Sequence, residues 1–408
     1  MHQPFSPKLA WSLVALFAAL ITGCSESSPP PFRLNMELAV EKQIVPAHRQ
    51  QIANVLDAMF GTPDKPFAMP ETGLDQRKLQ MAAGPVWSDE TGGKHGLYRR
   101  HCVHCHGISG DGQGPTAAIL NPYPRDYRPG IYKFKSTYTS ALPTESDLHK
   151  VLHDGIPGTA MPSFALLPPD EVSALLEYVK YLTMRGQMER ALVNYVSEDL
   201  ESDPLTGEAK TQLDPVNIAE QRSLIVNDLL GEIVAGWKES NEQVMIPELA
   251  AVPPENRPSN VVAESVTKGR DLFYGTKANC VKCHGPTALG DGQQDDFDIW
   301  SKTNKQFIDQ TQSLADSIAE AKKELAKLQG EELDQAKNDL NIDSKQLGER
   351  RELVGSLLPV RNAIPRNLRE GVYRGGRRPL DIYWRISSGI AGTPMPADAV
   401  FRMASSTK

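Results

Sequence analysis

At 408 residues the chain has room for two or three domains at roughly 150 residues each, and 40% hydrophobic residues suffice for packed cores. Its 31 prolines and 31 glycines imply abundant loop. A net charge of −7 and a pI near 5.8 argue against nucleic acid as a partner.

The N-terminus has the form of an export signal. Lys8 precedes the apolar run "LAWSLVALFAALI" at 9–21, which is shorter than the ~20 residues a membrane span requires but suits a signal-peptide core. The following "LITGC" resembles a bacterial lipobox, which makes Cys24 the candidate lipidation site and residues 1–23 a lipoprotein signal peptide. Removing them leaves a chain of net charge −8. Residues 24–87 combine a Ser/Pro-rich tether with a helix at 46–61, on which Ile52, Val55, Leu56 and Met59 share one face.

"CVHCHG" at 102–107 recurs as "CVKCHG" at 280–285, and "GDG" follows both, at 110–112 and 290–292. "PRDYRPGIY" at 124–132 returns as "PRNLREGVY" at 365–373, and "GIPGTAMP" at 155–162 returns as "GIAGTPMP" at 389–396. Four blocks in one order indicate a duplicated unit. His106 lies 55 residues before Met161, whereas His284 lies 111 before Met395, so the second copy carries an insertion at about 293–358. There Leu314, Ile318, Ala321, Leu325 and Leu328 form one helical stripe, and Leu333, Ala336, Leu340 and Leu347 a second. This is a helical hairpin turning near Gly330, its stripe either an internal seam or a docking surface.

Between the copies, 197–215 is a polar, acidic linker. A helix with Ile225, Leu229, Ile233 and Val234 follows, then a Pro-rich stretch at 247–259. No extended strand-like alternation occurs, so the chain is mainly α.

Cys-x-x-Cys-His is the attachment signature of c-type haem. Cys102 and Cys105, and Cys280 and Cys283, are the expected covalent haem links, with His106 and His284 as proximal iron ligands. His101 and His104 are expected on the surface. Four thiolates at one zinc ion are disfavoured, because Cys105 and Cys280 are 175 residues apart, against the ~12–20 usual for zinc pairs. A redox dithiol would need a strand–turn–helix context. Thioether sulfur is a common sixth haem ligand that raises the potential. Met161 and Met395, each before proline in a repeated glycine loop, fit that role. His149 and His153 compete in the first copy only.

Each copy resembles a class I cytochrome c domain, as in the third subunit of cbb3-type oxidases and many bacterial dihaem cytochromes. The resemblance implies two such domains in tandem, at 88–185 and 263–408, joined by a linker with a helix at 186–262. It also implies two covalently bound haems c, each in a compact helical fold with the methionine before the last helix. In the first copy Thr144 reads as an N-cap with Asp147, Gly155 as the helix stop, and 168–184 as the closing helix with Val172, Leu175, Leu176, Val179 and Leu182 inward. The second copy has only 13 residues after Met395, too few for that helix: the expectation is a truncated C-terminus, a partner that supplies the helix, or the inserted hairpin in its place. Leu272 and Phe273 are then left bare and the Met395 loop loosely held.

Seven arginines between Arg361 and Arg385 face only Glu370 and Asp381, suiting either haem propionates or an acidic partner. The expected function is electron transfer by a lipid-tethered dihaem cytochrome on the periplasmic side of a bacterial membrane. It would exchange electrons with an oxidase, a dehydrogenase or another cytochrome, alone or as a subunit of such a complex. The alternative, a dihaem peroxidase-type enzyme, needs one iron without a fixed sixth ligand. Cys24→Ser is expected to release the protein from membranes. Retention through a high-salt wash would overturn the tether as the sole attachment.

Overall fold

A computed structural model of the chain describes residues 30–247 and 256–397. The signal segment, Cys24, most of the Pro-rich stretch and the residues after Ala397 lie outside them. The first half opens with α1 (Met36–Glu41), whose N-cap Asn35 side chain accepts from Leu38 N, and α2 (Pro46–Phe60), which starts on proline and buries Ile52, Val55, Leu56 and Met59 as the spacing requires. Asp75 caps α3 (Gln76–Ala82). A two-residue hairpin, β1 (Trp87–Ser88) with β2 (Lys94–His95), leads into α4 (Leu97–His101) and α5 (Val103–His106).

α6 (Glu145–Asp154) begins at Thr144 and Asp147 in a full capping box and ends at Gly155, which has φ 67°. α7 (Pro169–Asp199) is a continuous helix of 31 residues. The boundary expected at 185/186 therefore falls inside a helix, because an apolar face of Met188, Leu192, Val193 and Val196 keeps it buried past Met184. α7 packs on α3, α2, α6 and α4. Leu175 and Tyr181 on it are fully buried, and so is Tyr98 on α4.

The expected polar linker contains a second small hairpin, β3 (Ser202–Asp203) with β4 (Glu208–Ala209). α8 (Ala219–Ser223) then runs through a π-helical turn at Leu224–Leu229 into α9 (Leu230–Glu239). Ile225 and Val234 are buried, with Leu229 and Ile233 packed against the same core.

The second half carries α10 (Ser259–Tyr274), α11 (Val281–His284), α12 (Ile299–Glu324), α13 (Gly330–Ser356) and α14 (Pro379–Ser387). α12 and α13 form the hairpin, turning at Gly330 with φ 61°. Its apolar stripes are only partly covered: Ile318 and Leu347 are buried, while Leu314, Leu325 and Leu340 are half-buried and Ala321 is exposed. α10 has no buried residue, with Val266 65% exposed and Leu272 and Phe273 half-buried. The hairpin packs on α1 instead of α10. Gln346 Nε2 donates to Val40 O at 3.5 Å, and Arg49 pairs with Glu349 at 2.7 Å.

From Phe32 onward the described residues form one compact unit, in which the two halves interlock. Arg361 donates to the carbonyls of Leu120 and Ala118, both at 2.6 Å, and its guanidinium lies over Tyr123. Trp384 Nε1 donates to Met245 O at 2.9 Å, and Arg385 lies over Phe134. The arginine run, expected to serve propionates or an acidic partner, thus spends Arg361 and Arg385 on joining the halves.

Leu175→Ala is expected to cost about 2–5 kcal/mol, the usual range for emptying a packed core site. Leu340→Ala on the half-covered hairpin should cost under about 1 kcal/mol. Urea unfolding of the two variants checks the contrast.

Candidate haem-binding sites

Cys102, Cys105 and His106 lie on one helical turn, where His106 N donates to Cys102 O at 2.9 Å. His106 is buried and its ring stacks on Tyr127 at 4.6 Å. Its Nδ1 faces the carbonyl of Arg125 at 2.9 Å. A carbonyl can only accept, so Nδ1 carries the proton and Nε2 keeps its lone pair for a metal. Burial lowers the His106 pKa to about 4, keeping the imidazole neutral. Burial likewise pushes the Cys102 thiol up to about 12.

The second motif repeats this bond by bond. His284 N donates to Cys280 O at 2.9 Å, and His284 Nδ1 donates to the carbonyl of Arg366 at 3.1 Å. The tyrosine of the preceding helix braces each turn: Tyr98 Oη donates to Gly107 O at 2.9 Å and Tyr274 Oη to Pro286 O at 2.7 Å. Neither tyrosine stood out in the sequence, because the two sit at different distances from their cysteines.

The "GDG" echo sets the wrong register. Gly112 N donates to His106 O at 3.0 Å and Gly290 N to His284 O at 2.9 Å, so Gly112 corresponds to Gly290, and Gly114 to Gly292. A Cβ on Gly114 would stand 2.5 Å from His104 O, and one on Gly292 2.4 Å from Lys282 O. Close approach of two backbone segments demands glycine at that place, whatever lies between.

The methionine loops also match. Ile156 N donates to Met161 O and Ile390 N to Met395 O, both at 3.1 Å. Thr159 Oγ1 donates to Ile156 O and accepts from Met161 N at 3.1 Å; Thr393 Oγ1 donates to Ile390 O and accepts from Met395 N at 3.3 Å. Both methionines are half-buried. The Met395 loop was expected to be loosely held. It gains a brace from the insertion instead, where Ile299 N donates to Gly392 O at 2.9 Å.

Other candidates are placed elsewhere. His104 is exposed, as expected, but His101 is half-buried, packed edge-on against Phe164 with Nε2 enclosed and unpartnered. His149 and His153 are exposed, stacked on each other at 5.9 Å along the outer face of α6. Among the described residues no three of His, Cys, Asp and Glu converge as a metal cluster, so the two cysteine pairs do not share one site.

The residues fit covalent haem in a further respect. Arg125 Nη1, Arg366 Nε, Arg374 Nε and Arg385 Nε are buried without a hydrogen-bond partner. Cationic donors left open in this way suit carboxylates such as haem propionates.

Residues 93–183 match the family described as Cytochrome c. The first half therefore contains a cytochrome c domain, for which covalently bound haem c and haem-based electron transfer follow. A search of curated proteins finds no match. Among solved structures, a chain of the Kuenenia stuttgartiensis reducing HAO-like protein complex is 18% identical, with 74% of this chain and 86% of that chain covered and a TM-score of 0.39. A likeness at that level does not establish a common fold.

Tyr98 is 1% exposed and Tyr274 47%. Tyr98→Phe is therefore expected to cost about 1 kcal/mol by orphaning a buried acceptor, and Tyr274→Phe close to nothing. Thermal or urea unfolding distinguishes the two.

Proposed function

We propose that the chain is a dihaem electron carrier. One haem c is attached at Cys102 and Cys105, with His106 and Met161 as axial ligands. The other is attached at Cys280 and Cys283, with His284 and Met395. Cys24 carries the lipid that holds the protein on the periplasmic side of a bacterial membrane. There it passes single electrons between redox proteins of a respiratory chain, alone or as the cytochrome subunit of an oxidase or dehydrogenase complex.

The observation that carries the reading is the repetition of one bonding pattern at both motifs: the histidine locked through Nδ1 to an arginine carbonyl, and the methionine loop closed through threonine. Bound haem supplies a reversible one-electron couple, with no substrate chemistry needed. The protein's own part is to present a neutral Nε2 on one side, to hold a thioether in a hydrogen-bonded loop, and to offer cations to carboxylates.

Equivalent loops at both sites favour a carrier over the peroxidase-type alternative, which needs one iron open to peroxide. His149 and His153, the competing candidates in the first copy, lie exposed on α6, which supports Met161 for that role.

Intact mass under denaturing conditions is expected to show two covalent haems, and Cys280→Ala with Cys283→Ala to show one. A wild-type mass fitting a single haem would falsify the duplicated reading. Thr159→Val should make Met161 roughly fivefold easier to displace by imidazole, the effect of losing about 1 kcal/mol of hydrogen bonding at the loop. Optical titration of the reduced protein reads this directly.

A further inference from the structure

Arg125 and Arg366 occupy the same place in their halves. Each follows a proline whose carbonyl abuts the glycine turn, and each accepts its own histidine's Nδ1–H on the main chain. Their side chains cross to the other half. The Arg125 guanidinium lies 3.7 Å from the centre of the Trp300 ring. Trp300 in turn backs Gly392, where an added Cβ would meet the ring at 2.9 Å. Gly392 is three residues before Met395. In the opposite direction, a Cβ on Gly158, three residues before Met161, would meet Val372 at 3.2 Å and Arg366 Nη2 at 3.3 Å. Arg374 Nη2 donates to the Gly158 carbonyl at 3.3 Å.

The crossing is reciprocal. Gly158 and Gly392 are the same position of the repeated loop, and each is met by a contact that starts from the arginine holding the other half's histidine. A duplicated unit packed on its copy through a two-fold-like seam generates such a pair. Lys133 strengthens one arm, with Nζ 5.5 Å from the Trp300 ring centre and 3.5 Å from Asp298.

We propose that Arg125 and Arg366 are positioning residues that couple the two haem sites. The backbone of each orients the histidine of its own site, while its side chain sets the methionine loop of the other. The proposal rests on the two-haem reading above. Coupling of this kind is a difference in interaction free energy, felt in both directions, so it is measurable by perturbing one side chain and observing the far site.

The test uses the full-length reduced protein with both haems. Proton NMR reads the two methionine methyl signals shifted upfield by the haem rings, each assigned by its loss in Met161→Ala or Met395→Ala. Arg125→Ala keeps the carbonyl that holds His106. It should move the Met395 signal more than that of Met161, and make Met395 about fivefold easier to displace by imidazole, as loss of an ordinary cation–π contact allows. Arg366→Ala should do the reverse. Arg125→Lys should show only part of the Arg125→Ala effect, because it returns a cation to the ring. Trp300→Leu removes the same stack from the other side and should reproduce Arg125→Ala, which separates the effect from misfolding of one variant. Signals that move only in the variant's own half, or in neither, overturn the coupling while the two-haem reading stands. A wild-type protein without two such methyl signals overturns both.

Discussion

A hydrogen bond that occupies one nitrogen of an imidazole fixes its tautomer and holds its ring, which leaves Nε2 ready for a metal. In this protein one main-chain carbonyl fixes the histidine of each motif in that way, Arg125 O for His106 and Arg366 O for His284. Much of the surrounding architecture keeps that carbonyl in place. The glycine turn after each histidine lets the proline–arginine segment come against the cysteine helix. Tyr98 ties the far end of the turn to α4, and α7 covers α4 from outside. Because the carbonyl belongs to a loop and not to a helix, its position depends on what the loop packs against, and here that includes the opposite half.

The seam is therefore more than a place where two copies touch. Arg361 and Arg385 anchor the second half to main-chain carbonyls of the first, and Trp384 anchors it to Met245 O in the connecting segment. Guanidinium groups suit this task, since their planar fork satisfies several carbonyls while stacking on an aromatic ring. Such contacts bury the charge of arginine against dipoles rather than carboxylates. The local excess of positive charge can then persist inside an acidic protein.

The insertion follows the same logic of bracing. Its first turn, Ile299 and Trp300, closes on the Met395 loop, while Glu349 on its second helix reaches Arg49 on α2. The second half lacks, among the described residues, a counterpart of α7 over its first helix, and α10 remains uncovered. Support for Met395 comes instead from a different direction. The first cysteine motif is thus backed by α7, whereas the Met395 loop is braced by the α12–α13 hairpin.

Much of each site was legible in the sequence, for a local reason. Cysteines three positions apart followed by histidine share one helical turn, and a threonine three residues before an acid at the start of an apolar run caps it. Repetition of four blocks in order marked the methionine loops without any knowledge of what they face. The register of the glycine turns was not legible, because "GDG" is a string of letters whereas the demand for glycine comes from a backbone approach that only the fold displays. The full length of α7, the half-buried state of His101 and the use of Arg361 and Arg385 at the seam also lay beyond the sequence. These depend on contacts between residues tens to hundreds of positions apart, and such contacts leave no periodic trace. The sequence by itself thus determined which side chains have the residue types and short spacing of a haem attachment motif, since that pattern is local. The tertiary structure alone decided which half braces which loop, since packing across the seam answers to shape and charge in three dimensions.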